Sequence, residues 1–290
     1  MGRVSGDWVS VFVVFGSASD SAVYQPIADA LKEHRVKAEI RVLSAHRTPK
    51  QLEKAIKKSK AKVFIAGAGM SAALPGVVAS QTLCPVIGVP VHANYFGLDS
   101  LLSVHQMPSG TPVLGVGVNQ GLVAAREATK ILKGKKTGVT LLKRGTNVEL
   151  VRQVERAREI LEEFAVPFDV SDKREVDWAS LNEERIYLDF VDLIDLDSIE
   201  ASNAIVIHCP IAKPNLPEQA ILVLDKARYG LWVGICRGDN AALGAVQVMN
   251  AVGGKYRKKL ESHRKMLARN VLKADKLLTS PQKSRGKGKR

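Results

Sequence analysis

The sequence predicts an α/β protein, a three-layer α/β/α sandwich on a parallel sheet, with the unit present twice. Three observations carry this. Short β-branched runs alternate with helical segments through the first half, the pattern of parallel βαβ units. The corners where a strand gives way to a helix are rich in Gly, Ser and Thr. Pieces of the first half also recur in the second.

Taken in order, VSVFVVFG (9–16) is a strand and SAVYQPIADALKEH a helix. AEIRVL is the next strand. Thr48, Pro49 and Gln51 then form a T-P-x-Q helix start: a hydroxyl to cap a free N–H, proline at the first helical position, and an amide able to reach back. PKQLEKAIKKS continues as that helix. KVFIAGAG is a strand, LPGVVASQT opens a helix, PVIGVPV is a strand, and LDSLLSVHQM is a helix. TPVLGVGV and LVAAREATKIL complete five strand–helix units.

The second half repeats this at changing offsets. Leu31, Glu33 and Val36 recur as Leu161, Glu163 and Val166. VFI at 63–65 with Leu74-Pro75 recurs as IVI at 205–207 with Leu216-Pro217. Val116-Gly117-Val118 recurs as Val233-Gly234-Ile235. The fall in offset from 142 to 117 predicts that one strand–helix unit, matching roughly residues 86–110, is missing from the second copy. The expected division is 1–138, 139–278 and a basic disordered tail, 279–290.

The net charge of +14 is concentrated at one end. Residues 251–290 hold 14 Lys/Arg and 2 Asp/Glu, a net of +12, so the other 250 residues carry about +2. That distribution argues against a folded nucleic-acid face and for a solvated basic tail. No apolar run approaches the ~20 residues that cross a bilayer, and MGRVSGDW lacks signal-peptide architecture. Cys84, Cys209 and Cys236 are few, odd in number and set in apolar sequence, as expected of reduced core thiols in a cytoplasmic protein.

In a parallel sheet the strand-to-helix loops emerge at one edge, where ligands bind. The first loop, Gly16-Ser17-Ala18-Ser19-Asp20, offers hydroxyls and a helix N-terminus suited to phosphate; taken alone, Asp20 reads best as a helix cap. The second, Ser44-Ala45-His46-Arg47-Thr48, pairs a proton carrier with a bidentate phosphate donor. The third runs from Ala66 through Ala68, Gly69, Met70, Ala73 and Leu74 to Gly76, and its small residues let backbone approach a flat ligand. Together they point to a phosphorylated ligand. Neither a P-loop nor a GxGxxG fingerprint is present, and no Cys/His cluster has metal-ligand spacing.

GSASD, SAHRTP, the AGAGxxxxLPG loop, PVIGVPV, GLDSLLSVHQMPSG and the later DNAALGAVQ resemble the class I 5-(carboxyamino)imidazole ribonucleotide mutase family of purine biosynthesis, also described as the phosphoribosylaminoimidazole carboxylase catalytic subunit. The resemblance implies a flavodoxin-like or Rossmann-like sandwich that assembles into a homo-octamer with sites between subunits. It implies carboxylate transfer from the exocyclic nitrogen of an imidazole ribonucleotide to ring carbon C4, through carbon dioxide, without ATP, metal or organic cofactor. By that pattern His46 is the general acid/base, Ser17, Ser19, Ser44 and Arg47 hold the phosphate, and Asp20 holds the ribose. The loop containing Ala68, Gly69, Met70, Ala73 and Leu74 covers the base. His92 and His105 fall where the family lines or borders its site.

Two positions depart from the family's usual GAGGAAHLPG loop: Met70 replaces a glycine and Ala73 a histidine. The change at Ala73 leaves a direct aminoimidazole ribonucleotide carboxylase, or a related enzyme that carboxylates a nicotinic-acid nucleotide, as alternatives; SAHRTP and QMPSG favour the mutase. The second half has no His-Arg pair: LKRGTNVEL stands where GSASD would be, and KREVDWASL near the SAHRTP position. His208, alone after IVI, reads as structural, and His34 and His263 as solvated. The expectation is one competent site per chain and a degenerate second half in the role of a neighbouring subunit. The helix at 255–278 would clasp an adjacent copy, and four chains would build the octamer-like shell. The rival hypothesis is a non-catalytic scaffold, against which the joint presence of Ser17, Asp20, His46 and Arg47 weighs.

Overall fold

The computed structural model describes residues 9–279, apart from 173, 195–198, 214, 215 and 217. The basic tail beyond 279 lies outside the described residues. The first half contains β1 (Val11–Phe15), α1 (Ser21–Glu33), β2 (Ala38–Val42), α2 (Pro49–Lys58), β3 (Val63–Ala68), α3 (Ala73–Gln81), β4 (Val86–Pro90), α4 (Leu98–His105), β5 (Leu114–Gly115) and α5 (Gly121–Leu132). The second contains β6 (Gly138–Lys143), α6 (Val148–Phe164), β7 (Phe168–Ser171), β8 (Arg185–Asp192), β9 (Ile205–Ile211), α7 (Gln219–Lys226), β10 (Leu231–Trp232), α8 (Gly238–Gly253) and α9 (Arg257–Thr279).

The strands form one ten-stranded sheet in the order β2-β1-β3-β4-β5-β10-β9-β8-β6-β7. Every pairing is parallel except the central one, where Trp232 of β10 meets Gly115 of β5 antiparallel. Side-chain alternation along each strand feeds two apolar layers. Val11, Val13 and Phe15 pack with Ile27 and Leu31 of α1 and Ala124 and Ala128 of α5, while Phe12 and Val14 pack with Leu52 of α2 and Leu74 and Val78 of α3. All are essentially sealed from solvent, and each large apolar side chain so buried contributes roughly 1.5–3 kcal/mol. The first of these layers runs without a break into α6 and α8, so both halves share one core.

The second half therefore repeats the strand order of the first, and no strand is missing from it. This corrects the expectation of a lost unit. Hydrogen bonds fix the true correspondence. Val36 N–H donates to Leu31 O (2.8 Å) past Arg35 at φ 56°, and Val166 N–H donates to Leu161 O (2.9 Å) past Ala165 at φ 53°. Asn119 N–H donates to Pro90 O (2.8 Å) just as Cys236 N–H donates to Pro210 O (2.9 Å). VIGVP at 86–90 thus matches VIHCP at 206–210, and IVI belongs to the fourth strand of its half rather than the third. What has shrunk is helix. A single 3-10 turn, Trp178–Ser180, stands between β7 and β8, and no helix occurs among the described residues between β8 and β9.

Helix α9 docks first on its own chain. His263 Nδ1 lies 2.8 Å from Glu163 Oε1 of α6 and its ring packs on Phe164. Arg264 donates to the carbonyls of Ala79 (2.9 Å) and Ser80 (3.2 Å) at the end of α3. His263 is thus buried, not solvated, while His34 is exposed as expected.

Candidate active site at the first crossover

β1 lies between β2 and β3, with α1 on one face of the sheet and α3 on the other. The chain leaves the neighbouring strands β1 and β3 toward opposite faces, which opens a crevice beyond their carboxyl ends. A cleft of about 480 Å³ occupies it, lined by the loops after β1, β2, β3 and β4. Every site residue expected from the sequence lines this cleft: Ser17, Ser19 and Asp20 from the first loop, Ser44, His46 and Arg47 from the second, and Ala68, Gly69, Met70, Ala73 and Leu74 from the third.

The first two loops are locked together. Arg47 Nη2 donates to Gly16 O (2.8 Å) and its backbone N–H to Ser44 Oγ (3.2 Å), so the guanidinium spans the gap between β1 and β2. The Ser17 and Ser19 hydroxyls lie 2.8 Å apart, and Ser19 Oγ is 3.2 Å from Asp20 Oδ1. Asp20 makes no side-chain cap to α1, so its carboxylate faces the cleft; the helix-cap reading is replaced. Thr48 does not cap α2 either. Its hydroxyl folds back onto Ser44, accepting from Ser44 N–H (2.8 Å), and thereby fixes the turn that presents His46. His46 and Arg47 are both exposed at this turn.

The third loop comes close to β4. A Cβ on Gly69 would lie 3.2 Å from Val91 O, tighter than side chains normally tolerate. Met70 and Ser71 hold positive φ (39° and 54°), conformations that glycine accepts freely and other residues adopt at a cost. Ser71 N–H is secured by Asp99 Oδ2 of α4 (3.0 Å). Met70 is 67% exposed, and so are Tyr95 (79%) and Phe96 (81%) on the loop after β4, also at positive φ. Val91, His92 and Ala93 also line the cleft. PVIGVP at the end of β4 signals their position, because the residue after a parallel strand must emerge at the same edge. His105 is instead core: it is 3% exposed, bonded to Val116 O (3.2 Å), and burial lowers its pKa to about 4.

Among the described residues, the Arg144 side chain occupies the equivalent position in the second half. Gly16 N–H bonds Gly67 O (3.1 Å), and in the same register Arg144 N–H bonds Phe190 O (3.2 Å). Arginine and phenylalanine thus stand at the positions of Gly16, which lines the first cleft, and Gly67, whose missing Cβ makes room for the Phe15 ring. The Arg144 side chain turns inward over Trp178 (5.5 Å), with Nη1 3.6 Å from Asp189 Oδ2. That same oxygen lies 2.8 Å from His208 Nδ1, and the His208 ring meets Trp178 edge-on (5.8 Å between centroids) and Trp232 at a tilt (4.7 Å). His208 is structural, as expected. The three cysteines form no disulfide, and burial raises each thiol above its ordinary range.

Residues 10–144 match the family described as AIR carboxylase. The N5-carboxyaminoimidazole ribonucleotide mutase of Methanocaldococcus jannaschii is 52% identical over 122 residues, 42% of this chain and 78% of that protein. The enzyme of the same name from Pyrococcus horikoshii is 43% identical over 158 residues, 53% of this chain and 89% of the relative. Among solved structures, Treponema denticola PurE aligns at 29% identity and a TM-score of 0.37, covering 40% of this chain and 77% of its own. The family match falls on the half whose crevice is open, and with relatives of 43–52% identity matched over 78–89% of their own length the chain belongs to the AIR carboxylase family.

Proposed function

We propose that the chain is a cytoplasmic enzyme of purine biosynthesis. It interconverts N5-carboxyaminoimidazole ribonucleotide and 4-carboxy-5-aminoimidazole ribonucleotide, with His46 as general acid/base. The observation that carries this is the convergence of a proton carrier, a guanidinium, three serine hydroxyls and a carboxylate on one crevice. The N–carboxylate bond breaks to release carbon dioxide, ring carbon C4 attacks it, and His46 removes the proton that C4 then carries. One proton leaves carbon and one returns to nitrogen, so the exchange balances as an isomerisation. Ser17, Ser19, Ser44 and Arg47 hold the phosphate and Asp20 the ribose. Met70 and the small residues after β3 close over the base and retain carbon dioxide.

The second half is, in this reading, a degenerate copy of the first, divided near residue 138. The matched strand order and cap hydrogen bonds support it. It takes the place of a neighbouring subunit, and four chains assemble as the octamer-like shell; a monomer in light scattering overturns this last element.

A UV-monitored assay with carboxyaminoimidazole ribonucleotide, and in parallel with aminoimidazole ribonucleotide plus bicarbonate, tests the activity. Conversion of the first substrate at low bicarbonate is expected; conversion of only the second makes the protein a direct carboxylase. Silence in both from folded protein overturns the reading in favour of a nicotinate-nucleotide enzyme or a scaffold. His46→Asn is expected to lower turnover by ~10²-fold or more while substrate still binds. Turnover equal to wild type removes His46 from the mechanism.

A further inference from the structure

The substrate assigned to the cleft carries a phosphate, a ribose and the carboxylate that moves. Ser17, Ser19, Ser44 and Arg47 take the first and Asp20 the second, which leaves the carboxylate without a partner. Few lining side chains remain to receive it. Ala68, Gly69, Met70, Ala73 and Leu74 of the third loop bring neither charge nor a hydrogen-bond donor, and Ser71 beside them brings a neutral hydroxyl. The loop after β4 supplies His92, a lining side chain that can carry positive charge and has no task yet.

The backbone at His92 is anchored on every side. Its own N–H donates to Asn119 Oδ1 (2.9 Å), and Asn119, at φ 58°, is held in turn by Pro90 O (2.8 Å). Val91 N–H donates to Ala68 O (3.0 Å), and the buried Ser100 hydroxyl lies 2.9 Å from both Val91 O and Gly97 O. Tyr95, Phe96 and Gly97 follow at φ 50°, 55° and 83°, three consecutive residues in the left-handed region. Such a run costs free energy at its two non-glycine positions and persists where the surroundings enforce it. It brings the Phe96 ring edge-on to the His92 ring, 6.2 Å between centroids.

The polar atoms of the side chain are left free. His92 is exposed, and its ring nitrogens have no hydrogen-bond partner among the described residues. A histidine that merely met solvent would need neither the strained turn nor the fixed backbone. A ring held in place by its surroundings, with its N–H unpaired and facing a cleft, is a preorganised donor.

We propose that His92 receives the migrating carboxylate, donating from its ring to a carboxylate oxygen. This rests on the imidazole-ribonucleotide reading of the cleft and adds a substrate contact to it. The exocyclic nitrogen is bonded to the ring carbon next to C4, so the carboxylate leaves from and rejoins neighbouring parts of one ring. A single N–H on the cleft wall can serve it in both places, and a protonated ring also offsets its negative charge. His46 keeps the proton at C4, so the two histidines have separate tasks.

Titration calorimetry with two ligands tests this: 4-carboxy-5-aminoimidazole ribonucleotide, and aminoimidazole ribonucleotide, which lacks the carboxylate. The His46→Asn background keeps both ligands from turning over. Adding His92→Phe retains a ring beside Phe96 but removes the donor. Affinity for the carboxylated ligand is expected to fall at least ~10-fold, while affinity for the other stays within about twofold. Adding His92→Gln instead restores a donor, and binding of the carboxylated ligand is expected to return to within about threefold of its value with His92. Equal weakening of both ligands by His92→Phe marks a structural role and overturns the proposal, as does unchanged binding of both. If neither ligand binds while His92 is in place, the imidazole-ribonucleotide reading itself fails and takes this inference with it.

Discussion

Replacing Arg144 by methionine is the most direct test of the claim that the second crossover is structural. Arg144 is 8% exposed and Asp189 fully buried, and Nη1 lies 3.6 Å from Asp189 Oδ2. Because Nη1 makes no hydrogen bond, the attraction is Coulombic. At that separation and an effective dielectric of ~20, it amounts to about 4–5 kcal/mol. His208, 2.8 Å away, still partners Asp189 in the variant, so the net loss is set somewhat lower, at roughly 3–4 kcal/mol, within the range for breaking one side of a buried pair. For a chain of 290 residues that corresponds to a fall in Tm of about 5–7 °C. Differential scanning calorimetry reads it directly. Adding Asp189→Asn to Arg144→Met is expected to recover part of the loss, since the double variant no longer buries an unpaired charge. Turnover at low temperature should be unchanged in both. A Tm shift below ~2 °C refutes the buried pair, and lost turnover in a stable variant refutes the separation of the two crevices.

Two smaller perturbations follow from local geometry. Met70→Gly removes the positive-φ penalty at 39° and partly replaces it with the larger chain entropy of glycine, so stability should rise by no more than ~1 kcal/mol in urea melts; destabilisation beyond that range shows that the Met70 side chain packs in the fold. His105, with its pKa lowered to about 4 by burial, stays neutral in the fold while the unfolded chain protonates near 6.5. Its contribution is therefore complete above pH ~6.5 and declines as pH falls toward 4, on the order of 3 kcal/mol in total. Chemical melts of His105→Leu should show a flatter pH dependence across that window, and a parallel profile excludes His105 as its source.

The first-half architecture and its cleft were legible because their determinants are local. Strand runs, Gly/Ser corners and strand-to-helix order lie within a few residues of one another, and parallel topology carries every such corner to one edge. The errors fall where partners are distant or alternatives compete. Thr48 presents a helix-cap motif, yet its hydroxyl finds Ser44 in the preceding turn. His263 sits in a polar stretch, and Glu163, which buries it, is 100 residues away. The equivalence of VIGVP and VIHCP is present in the letters, but the repeated Leu-Pro pair competes with it and points to the wrong strand. No spacing rule announces Arg144, Asp189, His208 and the two tryptophans, because they meet only after four strands, β6, β8, β9 and β10, have paired.

That cluster also constrains what mutation can do to this chain over time. Opening the second crevice requires a small residue at 144, yet the first step leaves the buried Asp189 without its guanidinium, held by the His208 ring alone. Neutralising Asp189 first leaves the Arg144 guanidinium and the His208 ring without their shared carboxylate. Phe190, at the position of Gly67, is meanwhile fully buried in the shared core. Each single substitution toward an open cleft is disfavoured before any binding advantage can be selected. The closure of the second half therefore acts as a ratchet, held shut by the order in which changes would have to occur.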